Sequence, residues 1–490
     1  MLLFLTHFPG IHGMFNSFNT KKSLKYFNQN MLINLIKGFA NLKTKTLDFT
    51  FNKTRINKNI FFIIGIITTL VTIALPFSFQ LDSSFNMAQA AGATYYIDAS
   101  IGNDGNSGTT ETSPLKTISK ATEKVAPGDT VLVKNGTYNE PYGVNMQTSG
   151  TASGWITFKA FSGHKPSVTS SQWYTFGIDQ KSYIEISGFE ITNVPQTPTD
   201  TKNGAGDGIL VKNDSHHIKL LNNKIHGAGG GGIATVSADY ITIEGNTVYD
   251  NAKRSNLGQS GISLYQPYNY DTASGYHNFI RKNLIYKNEN LVPFVYYGDG
   301  TEITDGNGII VDDSRNTQQN SGTNPHYLQA YKGSTLIENN IIFDNGGRGI
   351  HVFKSDNVVA VNNSLYQNNR TSTISGELTA ISSGNVKFSN NLVYARTGKL
   401  ANVINSEAKN ISFANNTYYN HLNLSLLGSN DKTADPKYIN PSLDPAVANF
   451  HLQSKSPAIN TGTSTSAPTT DFDGKKRPSG SGYDRGAYEY

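Results

Sequence analysis

The sequence contains no cysteine among its 490 residues. A disulfide framework, cysteine-ligated zinc, an iron–sulfur cluster and a thiol nucleophile are therefore excluded. Charged residues are scarce as well, at 16%, whereas hydrophobic residues make up 37% and aromatic residues 11%. This composition excludes a disordered polyelectrolyte and supplies enough apolar side chains for a sizeable core.

Basic charge is confined to one end of the chain. Residues 1–58 contain nine Lys or Arg and one acidic residue, whereas residues 91–490 contain 32 basic and 34 acidic residues. The net charge of +5 therefore comes from the N-terminal segment. Because the rest of the chain is slightly acidic, we expect no nucleic-acid partner.

Residues 1–90 have the pattern of a targeting segment. An uncharged apolar run at 60–79 follows the basic flank and precedes the small residues Ala88 and Ala90. This order predicts a secretory signal cleaved near Ala90. The alternative is a retained anchor, because the run is nearly long enough to span a bilayer. In both cases the positive-inside rule places residues 91–490 outside the cell, secreted or on the outer face of the membrane.

A short repeat runs through the middle of the chain. Alternating apolar residues are followed by Asn, two further residues and an aromatic residue or His. The repeated asparagines are Asn223, Asn246, Asn283, Asn340, Asn363, Asn391 and Asn416. Their basic period of about 23–28 residues predicts stacked coils, with loops where the spacing is longer. We expect each Asn to adopt the left-handed conformation at a turn and to hydrogen-bond its neighbour in a ladder.

A second set of strands begins with glycine, at Gly208, Gly232, Gly261, Gly308 and Gly349. Two or three short strands per coil, with no helical period between them, predict an all-β solenoid, the right-handed parallel β-helix. The leucine frame of a leucine-rich repeat and the longer repeat of a propeller are absent. Ile118, Ala121 and Val125 share one helical face and predict a short N-terminal capping helix.

These patterns divide the chain into four parts. Residues 1–90 are the targeting segment, and residues 91–140 form the N-terminal cap and first coil. Residues 141–430 form the β-helix coils with their loop insertions. Residues 431–490 are Pro-rich and predict an irregular C-terminal cap.

Aligning the glycine-led strands gathers mixed charges on one face, because stacked coils place equivalent residues about 4.8 Å apart. Elimination in an acidic sugar polymer requires a cation that neutralises the uronate carboxylate and a base that removes the C5 proton. Arg348 is the candidate neutraliser, and His351 or Lys354 is the candidate base. Plainer interpretations are a structural His351 and a surface ion pair between Lys354 and Asp313.

Acidic and aromatic residues on the same face suggest further roles. Asp305, Asp312 and Asp313 are hard oxygen ligands that suit Ca²⁺. Two of the same carboxylates would equally suit a hydrolase. The candidate substrate-binding residues are Tyr265, Phe353 and Lys212, although the two aromatic residues also fit ordinary stacking.

The ends of this region resemble a known family. TYYIDASIGNDGNSGT and SPLKTISKATEKVAPGDTVLVKNGTY resemble the opening of secreted right-handed β-helix proteins of pectate lyase family nine. DFDGKKRP and GYDRGAYEY are similar to the tail of many extracellular β-helix proteins. With the repeat, the resemblance covers about residues 94–490. It implies a calcium-assisted polysaccharide lyase.

The resemblance carries over to individual residues only in part. The family's Asp-Gly pair is matched by Asp207 and Gly208, which adds Asp207 to the candidate calcium ligands. The family's acidic segment one coil later is replaced by glycines at 229–232. The position of the family's catalytic lysine, two residues after a glycine, holds Ser263, Ile310 or His351. An active centre would therefore be shifted toward Asp312 and His351.

The sequence thus predicts a secreted, monomeric polysaccharide lyase that cleaves an acidic polysaccharide by β-elimination. The alternatives are a noncatalytic extracellular glycan-binding β-helix, or a glycoside hydrolase or C5-epimerase on the same scaffold.

Overall fold

The computed structural model describes residues 92–194, 206–295, 298, 300–318 and 329–490. The predicted targeting segment and its cleavage site lie outside the described residues. Within the described ranges, no helix is long and apolar enough to cross a membrane.

The N-terminal part contains one short helix and nine strands. The helix is α1 (Ile118–Thr122). The strands are β1 (Thr94–Ile97), β2 (Thr130–Val133), β3 (Thr137–Asn139), β4 (Val144–Asn145), β5 (Ile156–Ala160), β6 (Ser167–Ser170), β7 (Tyr174–Asp179), β8 (Ser182–Ser187) and β9 (Glu190–Asn193).

The remaining strands follow with no further helix in the described part of the chain. The central strands are β10 (Asp207–Leu221), β11 (Lys224–His226), β12 (Ile233–Glu244), β13 (Thr247–Tyr249), β14 (Ile262–Tyr265), β15 (Tyr276–Arg281), β16 (Leu284–Tyr286), β17 (Ile309–Asp312), β18 (Ser334–Glu338) and β19 (Ile341–Phe343). The last strands are β20 (Ile350–Phe353), β21 (Asp356–Val361), β22 (Ser364–Tyr366), β23 (Leu378–Ile381), β24 (Gly384–Ser389), β25 (Leu392–Tyr394), β26 (Asn402–Ile404), β27 (Lys409–Ala414), β28 (Thr417–Tyr419), β29 (Lys432–Thr433), β30 (Tyr438–Asn440) and β31 (Asn449–Leu452).

Three parallel sheets wrap around one core. Sheet I contains β4, β7, the first halves of β10 and β12, β14, β17, β20, β23 and β26. Sheet II contains β1, β2, β5, β8, the second halves of β10 and β12, β15, β18, β21, β24 and β27. Sheet III contains β3, β6, β9, β11, β13, β16, β19, β22, β25, β28 and β29. This architecture confirms the predicted right-handed parallel β-helix.

Aliphatic side chains from the three sheets fill the interior. The residues predicted to point inward from sheet I are fully or almost fully buried: Ile209, Val211, Ile309, Val311, Ile350 and Val352. Helix α1 contributes Ile118 and Ala121 to the same core, and Val125 follows it. The predicted short helix and its apolar face are thus confirmed.

The repeated asparagines form the predicted ladder. Asn340 donates from Nδ2 to Oδ1 of Asn363 at 2.9 Å and to the carbonyl oxygen of Ile280 at 2.9 Å. Its own Oδ1 accepts from the backbone N–H and the Nδ2 of Asn283, both at 3.0 Å. The same side-chain bonds join the other members in order, Asn223, Asn246, Asn283, Asn340, Asn363, Asn391 and Asn416. Each rung therefore satisfies buried polar groups of neighbouring coils.

The left-handed conformation falls one residue earlier than predicted. Asn339 has a φ of 54°, as does the equivalent Asn222, whereas Asn340 itself is not left-handed. The chain turns at the preceding residue, and this turn directs the ladder side chain toward the core.

A second asparagine ladder was not predicted. Asn251, Asn288, Asn345 and Asn368 bond in the same way at the end of sheet III. The ladder ends on the buried carboxyl group of Glu377, which accepts from Nδ2 of Asn368 at 2.7 Å. Burial raises the pKa of Glu377 to about 7.

The C-terminal segment lies along the outer face of sheet III. Phe450 packs against Phe343 and Tyr366, with both pairs of ring centroids 5.3 Å apart. Tyr438 and Tyr488 belong to the same buried cluster. The segment predicted as an irregular cap thus also covers one side of the coils.

The asparagine ladder generates a stability prediction. Asn340→Ala would leave the backbone N–H and Nδ2 of Asn283 without their acceptor in a buried place. We expect the free energy of unfolding to fall by about 3 kcal/mol or more, measured by denaturant unfolding. Asn139→Ala, the same change at an exposed strand position, is the control. Equal losses in the two variants would contradict a stabilising role for the ladder.

Candidate active site

The outer face of sheet I carries the candidate site. Its strands pair in the register predicted from the repeat, which stacks Leu210, Ala234, Ser263, Ile310 and His351 in one column. The next column contains Lys212, Val236, Tyr265, Asp312 and Phe353. Asp312 therefore lies between two aromatic residues on adjacent coils.

Asp305 reaches this face from the segment before β17. Its carboxylate accepts from the hydroxyl of Thr304 at 2.6 Å and from Nδ2 of Asn307 at 2.9 Å. Burial raises the pKa of Asp305, although these donors and the nearby Arg348 favour its ionised form. Asp305 is thus a half-buried carboxyl group in the segment that precedes β17.

Asp312 has an environment that disfavours its charge more strongly. Burial raises its pKa well above the usual range, and the negative charges of Asp305 and Asp313 raise it further. Nε2 of Gln318 donates to its Oδ1 at 2.8 Å. The hydrogen bond from Gln318 and the positive charge of Lys354 oppose this shift.

Arg348 holds the segment that contains Asp305. Its Nη1 donates to the carbonyl oxygen of Thr304 at 3.1 Å, and its backbone N–H donates to Oδ1 of Asn307 at 2.8 Å. Burial lowers the pKa of Arg348, while the charge of Asp305 opposes that shift. These contacts join Arg348 to the segment on both sides of Asp305.

The two candidate bases have different surroundings. His351 is only 6% exposed, and its Nδ1 is hydrogen-bonded to the hydroxyl of Thr379 at 2.6 Å. Burial and the charge of Arg348 lower the pKa of His351 well below its usual value. This burial argues against His351 as the base that removes a substrate proton. Lys354 is half-buried, with its ammonium group 5.2 Å from the centroid of the Phe353 ring.

The four candidate calcium ligands do not assemble into one site. Asp313 is fully buried and its carboxylate accepts four hydrogen bonds, from the backbone N–H and hydroxyl of Thr317, the backbone N–H of Gln318 and Nε2 of Gln266. Asp313 therefore organises the turn after β17. A calcium ion takes about six to eight oxygen ligands. Among the described residues, no group of three or more His, Asp or Glu side chains is placed to hold a metal ion, so the predicted calcium set does not fit.

Asp207 begins β10, three strands from β17 in sheet I. Its Oδ1 accepts from the backbone N–H of Gly231 at 2.7 Å and from Nε2 of Gln259 at 2.6 Å. Burial raises the pKa of Asp207 to about 7. Asp207 is thus a second enclosed acid, separate from the Asp305–Asp312 pair.

The candidate substrate-binding residues lie in the predicted column. Burial raises the pKa of Tyr265 to about 12, and the charges of Asp312 and Asp313 add to the shift. Lys212 lies three strands from Asp312 and forms an ion pair with Asp179, with N–O separation of 3.3 Å. Their roles in substrate binding stay predictions.

Comparison with known proteins supports the sequence resemblance. Residues 95–265 match the family described as Pel9A-like, right handed beta helix region. The chain carries a Pel9A-like region. Its fold is similar to the crystal structure of pectate lyase Pel9A, with a TM-score of 0.51 and 19% sequence identity. That similarity covers 82% of this chain and 97% of the pectate lyase.

Two curated relatives match shorter parts of the chain. The uncharacterized protein YwoF of Bacillus subtilis is 29% identical over 170 residues, which is 33% of this chain and 34% of YwoF. Lacto-N-biosidase of Bifidobacterium longum is 30% identical over 158 residues, which is 25% of this chain and 10% of that enzyme. The chain thus matches about a third and a tenth of these two relatives.

Several polar partners in the site could not be found from the repeat. Gln318, Thr304 and Gln259 come from segments between the strands, outside the periodic part of the coils. Thr379 stands directly beside His351 in the register, but its strand is preceded by Glu377 where earlier strands have glycine. The glycine signal that aligned the other coils is therefore missing there.

The enclosed Asp207 generates a pH prediction. Its pKa is about 7 in the folded protein, against an ordinary value of 3.8, so the folded protein holds an extra proton between these values. Its contribution to stability therefore falls as the pH rises from about 4 to 7. Asp207→Asn keeps an oxygen acceptor and removes the charge.

We expect the unfolding free energy of Asp207→Asn, relative to wild type, to rise by about 4 kcal/mol between pH 4 and pH 8. Denaturant unfolding at both pH values measures this difference. Asp250→Asn, the same substitution at a partly exposed position, is the control. A constant difference between Asp207→Asn and wild type would show that Asp207 is ionised throughout this range.

Proposed function

We propose that this protein is a secreted glycoside hydrolase that cleaves a polysaccharide or long oligosaccharide. Asp305 and Asp312 are its two proposed catalytic carboxyl groups. The observation that carries this proposal is that burial raises the pKa of both Asp305 and Asp312, and that the negative charge of Asp305 raises the pKa of Asp312 further. Glycoside hydrolases use two carboxyl groups that flank the bond to be cleaved. The secreted location rests on the basic flank and the apolar run in residues 1–90.

In the proposed reaction, one carboxyl group of the pair is protonated and the other is ionised. The carboxyl that keeps its proton donates it to the oxygen of the departing sugar. The ionised carboxylate attacks the anomeric carbon or activates a water molecule. Activity should therefore fall at low pH, where both groups are protonated, and at high pH, where both are ionised. The raised pKa values extend the active range upward toward neutral pH.

The neighbouring side chains provide a setting for a sugar ring. Tyr265 and Phe353 stand on either side of Asp312 in the strand register and offer apolar surfaces. Arg348 fixes the carbonyl oxygen of Thr304, which precedes Asp305 in the chain. In the proposed reaction, Tyr265 and Phe353 position the sugar ring, and Arg348 positions Asp305.

A partial relative supports the same reaction class. The Bifidobacterium longum protein that is 30% identical over its matched part is named lacto-N-biosidase. That name denotes a glycosidase. The matched part is a quarter of this chain, so the relative supports the class of reaction and leaves the sugar open.

Polysaccharide lyase activity on an acidic polymer is the second candidate. It is favoured by the Pel9A-like match of residues 95–265 and by Lys354, a half-buried lysine whose positive charge acts on Asp312. In that reaction Lys354 would remove the C5 proton and Arg348 would neutralise the uronate. No step is assigned to a metal ion.

Substitution of the acid pair tests the proposed hydrolysis. We expect Asp305→Asn and Asp312→Asn each to lower kcat by about 100- to 10,000-fold, because each removes one of the two carboxyl functions. The measurement is release of reducing ends from a panel of uncharged oligosaccharides and polyuronates, with the full chain. Ultraviolet absorbance of a conjugated double bond is recorded in parallel.

The control and the contrary outcomes are distinct. Asp250→Asn, on the sheet III side, should retain full activity. If the absorbance of the conjugated double bond still rises in both acid variants and no longer rises in Lys354→Ala, the protein is a lyase instead. Glycan binding without any product would indicate a noncatalytic protein.

A further inference from the structure

A patch of aromatic residues lies on sheet I toward its N-terminal end. Trp173 is 56% exposed and Tyr142 is 82% exposed, which is unusual for side chains of this size. Tyr174, at the start of β7, is half-buried beside them. No charged residue occurs at 141–149 or 171–178. These two segments of the patch therefore carry no charged side chain of their own, and the nearest charged residues in the register are Asp207, opposite Tyr174, and the Lys212–Asp179 ion pair.

Two glycines leave the space that the ring of Tyr174 occupies. A Cβ atom added at Gly177 would lie 2.3 Å from the ring, and one added at Gly143 would lie 3.3 Å from it. The phenol group donates to Oδ1 of Asn145 at 2.5 Å. The ring therefore occupies space that only glycine leaves, and its orientation is fixed before any ligand binds.

The strand register places this ring on the same face as the acid pair. Gly177 pairs with Leu210, which begins the column that leads through Ser263 and Ile310. Four strand spacings separate β7 from β17, which is about 19 Å along the stack. A glycan that lies along sheet I can therefore contact both places only if it is several sugar residues long.

Exposed aromatic rings are suited to uncharged sugars. Their apolar faces pack against the C–H faces of a sugar ring, and side-chain amides can bond its hydroxyl groups. Gln147 and Gln172 are exposed and supply such amides within the patch. The lysine nearest in the register, Lys212, is already paired with Asp179, so the segments of the patch themselves offer no cation to a uronate carboxylate.

We propose that Tyr142, Trp173 and Tyr174 form a distal subsite for an uncharged sugar residue of the glycan that is cleaved at Asp305 and Asp312. This inference rests on the proposed function for the identity of the chain that reaches the patch. It implies that the substrate is a long glycan with uncharged residues on one side of the cleaved bond.

Substrate length provides the kinetic test. Trp173→Ala and Tyr142→Ala should raise KM about five- to tenfold on long substrates, because each removes one aromatic contact. KM on the shortest cleaved substrate and kcat on both should stay unchanged. Tyr490→Ala, which removes an exposed aromatic ring elsewhere, should change neither value. Equal KM values for wild type and both variants on long substrates would overturn the subsite.

A binding measurement separates this subsite from the proposed reaction. The chain contains two tryptophans, Trp155 and Trp173, so Trp155→Phe leaves Trp173 as the single tryptophan reporter. In the Trp155→Phe, Asp305→Asn double variant, we expect long uncharged oligosaccharides to change Trp173 fluorescence. Tyr142→Ala should weaken that binding.

The outcomes of the two experiments are independent. If Asp305→Asn alone keeps full activity, the proposed reaction fails while the fluorescence titration still decides the subsite. If no uncharged oligosaccharide of the panel changes Trp173 fluorescence, the subsite is overturned even where hydrolysis is established. A response to polyuronates alone would likewise overturn an uncharged sugar as its ligand.

Discussion

Stacking of parallel coils through buried asparagine ladders is the constraint on which the rest of the structure depends. Each ladder side chain satisfies backbone and amide groups of neighbouring coils, so a coil that shifted by one residue would leave several buried polar groups unpaired. The register of sheet I is fixed as a result. Residues distant in sequence, such as Tyr265, Asp312 and Phe353, are thereby brought together.

This rigid register allows the fold to hold acids where their charge is disfavoured. Asp313 and Asp312 are adjacent in sequence, yet Asp313 has four donors and Asp312 has one side-chain donor. Burial and a neighbouring negative charge therefore act on Asp312, whereas Asp313 stabilises a turn. The number of donors thus separates the structural acid from the candidate catalytic acid.

The features that recur in every coil could be predicted from the sequence. Period-two alternation and the spaced asparagines predicted the inward residues, the ladder and the column that contains Asp312. Features that occur once could not be predicted in this way. Gln318 and Thr304 come from segments between strands, and the turn at Asp313, with its φ of 48°, directs that carboxylate toward the loop. For this reason the sequence predicted one calcium site that included both Asp312 and Asp313.

The same distinction explains the surroundings of His351 and of the C-terminal segment. His351 has the right place in the register, but its burial and its bond to Thr379 depend on a neighbouring coil that lacks the glycine signal. The C-terminal segment covers sheet III through aromatic contacts of Phe450, which lies outside the repeated part of the sequence. Sequence periodicity determines which residues share a face, and the insertions determine what surrounds them.

Cleavage of a glycan in water enriched in oxygen-18 tests the central claim most directly. Hydrolysis at Asp305 and Asp312 adds the oxygen of water to the product, so mass spectrometry should find the label at the new reducing end. Products without the label that carry a conjugated double bond would contradict the account and establish elimination.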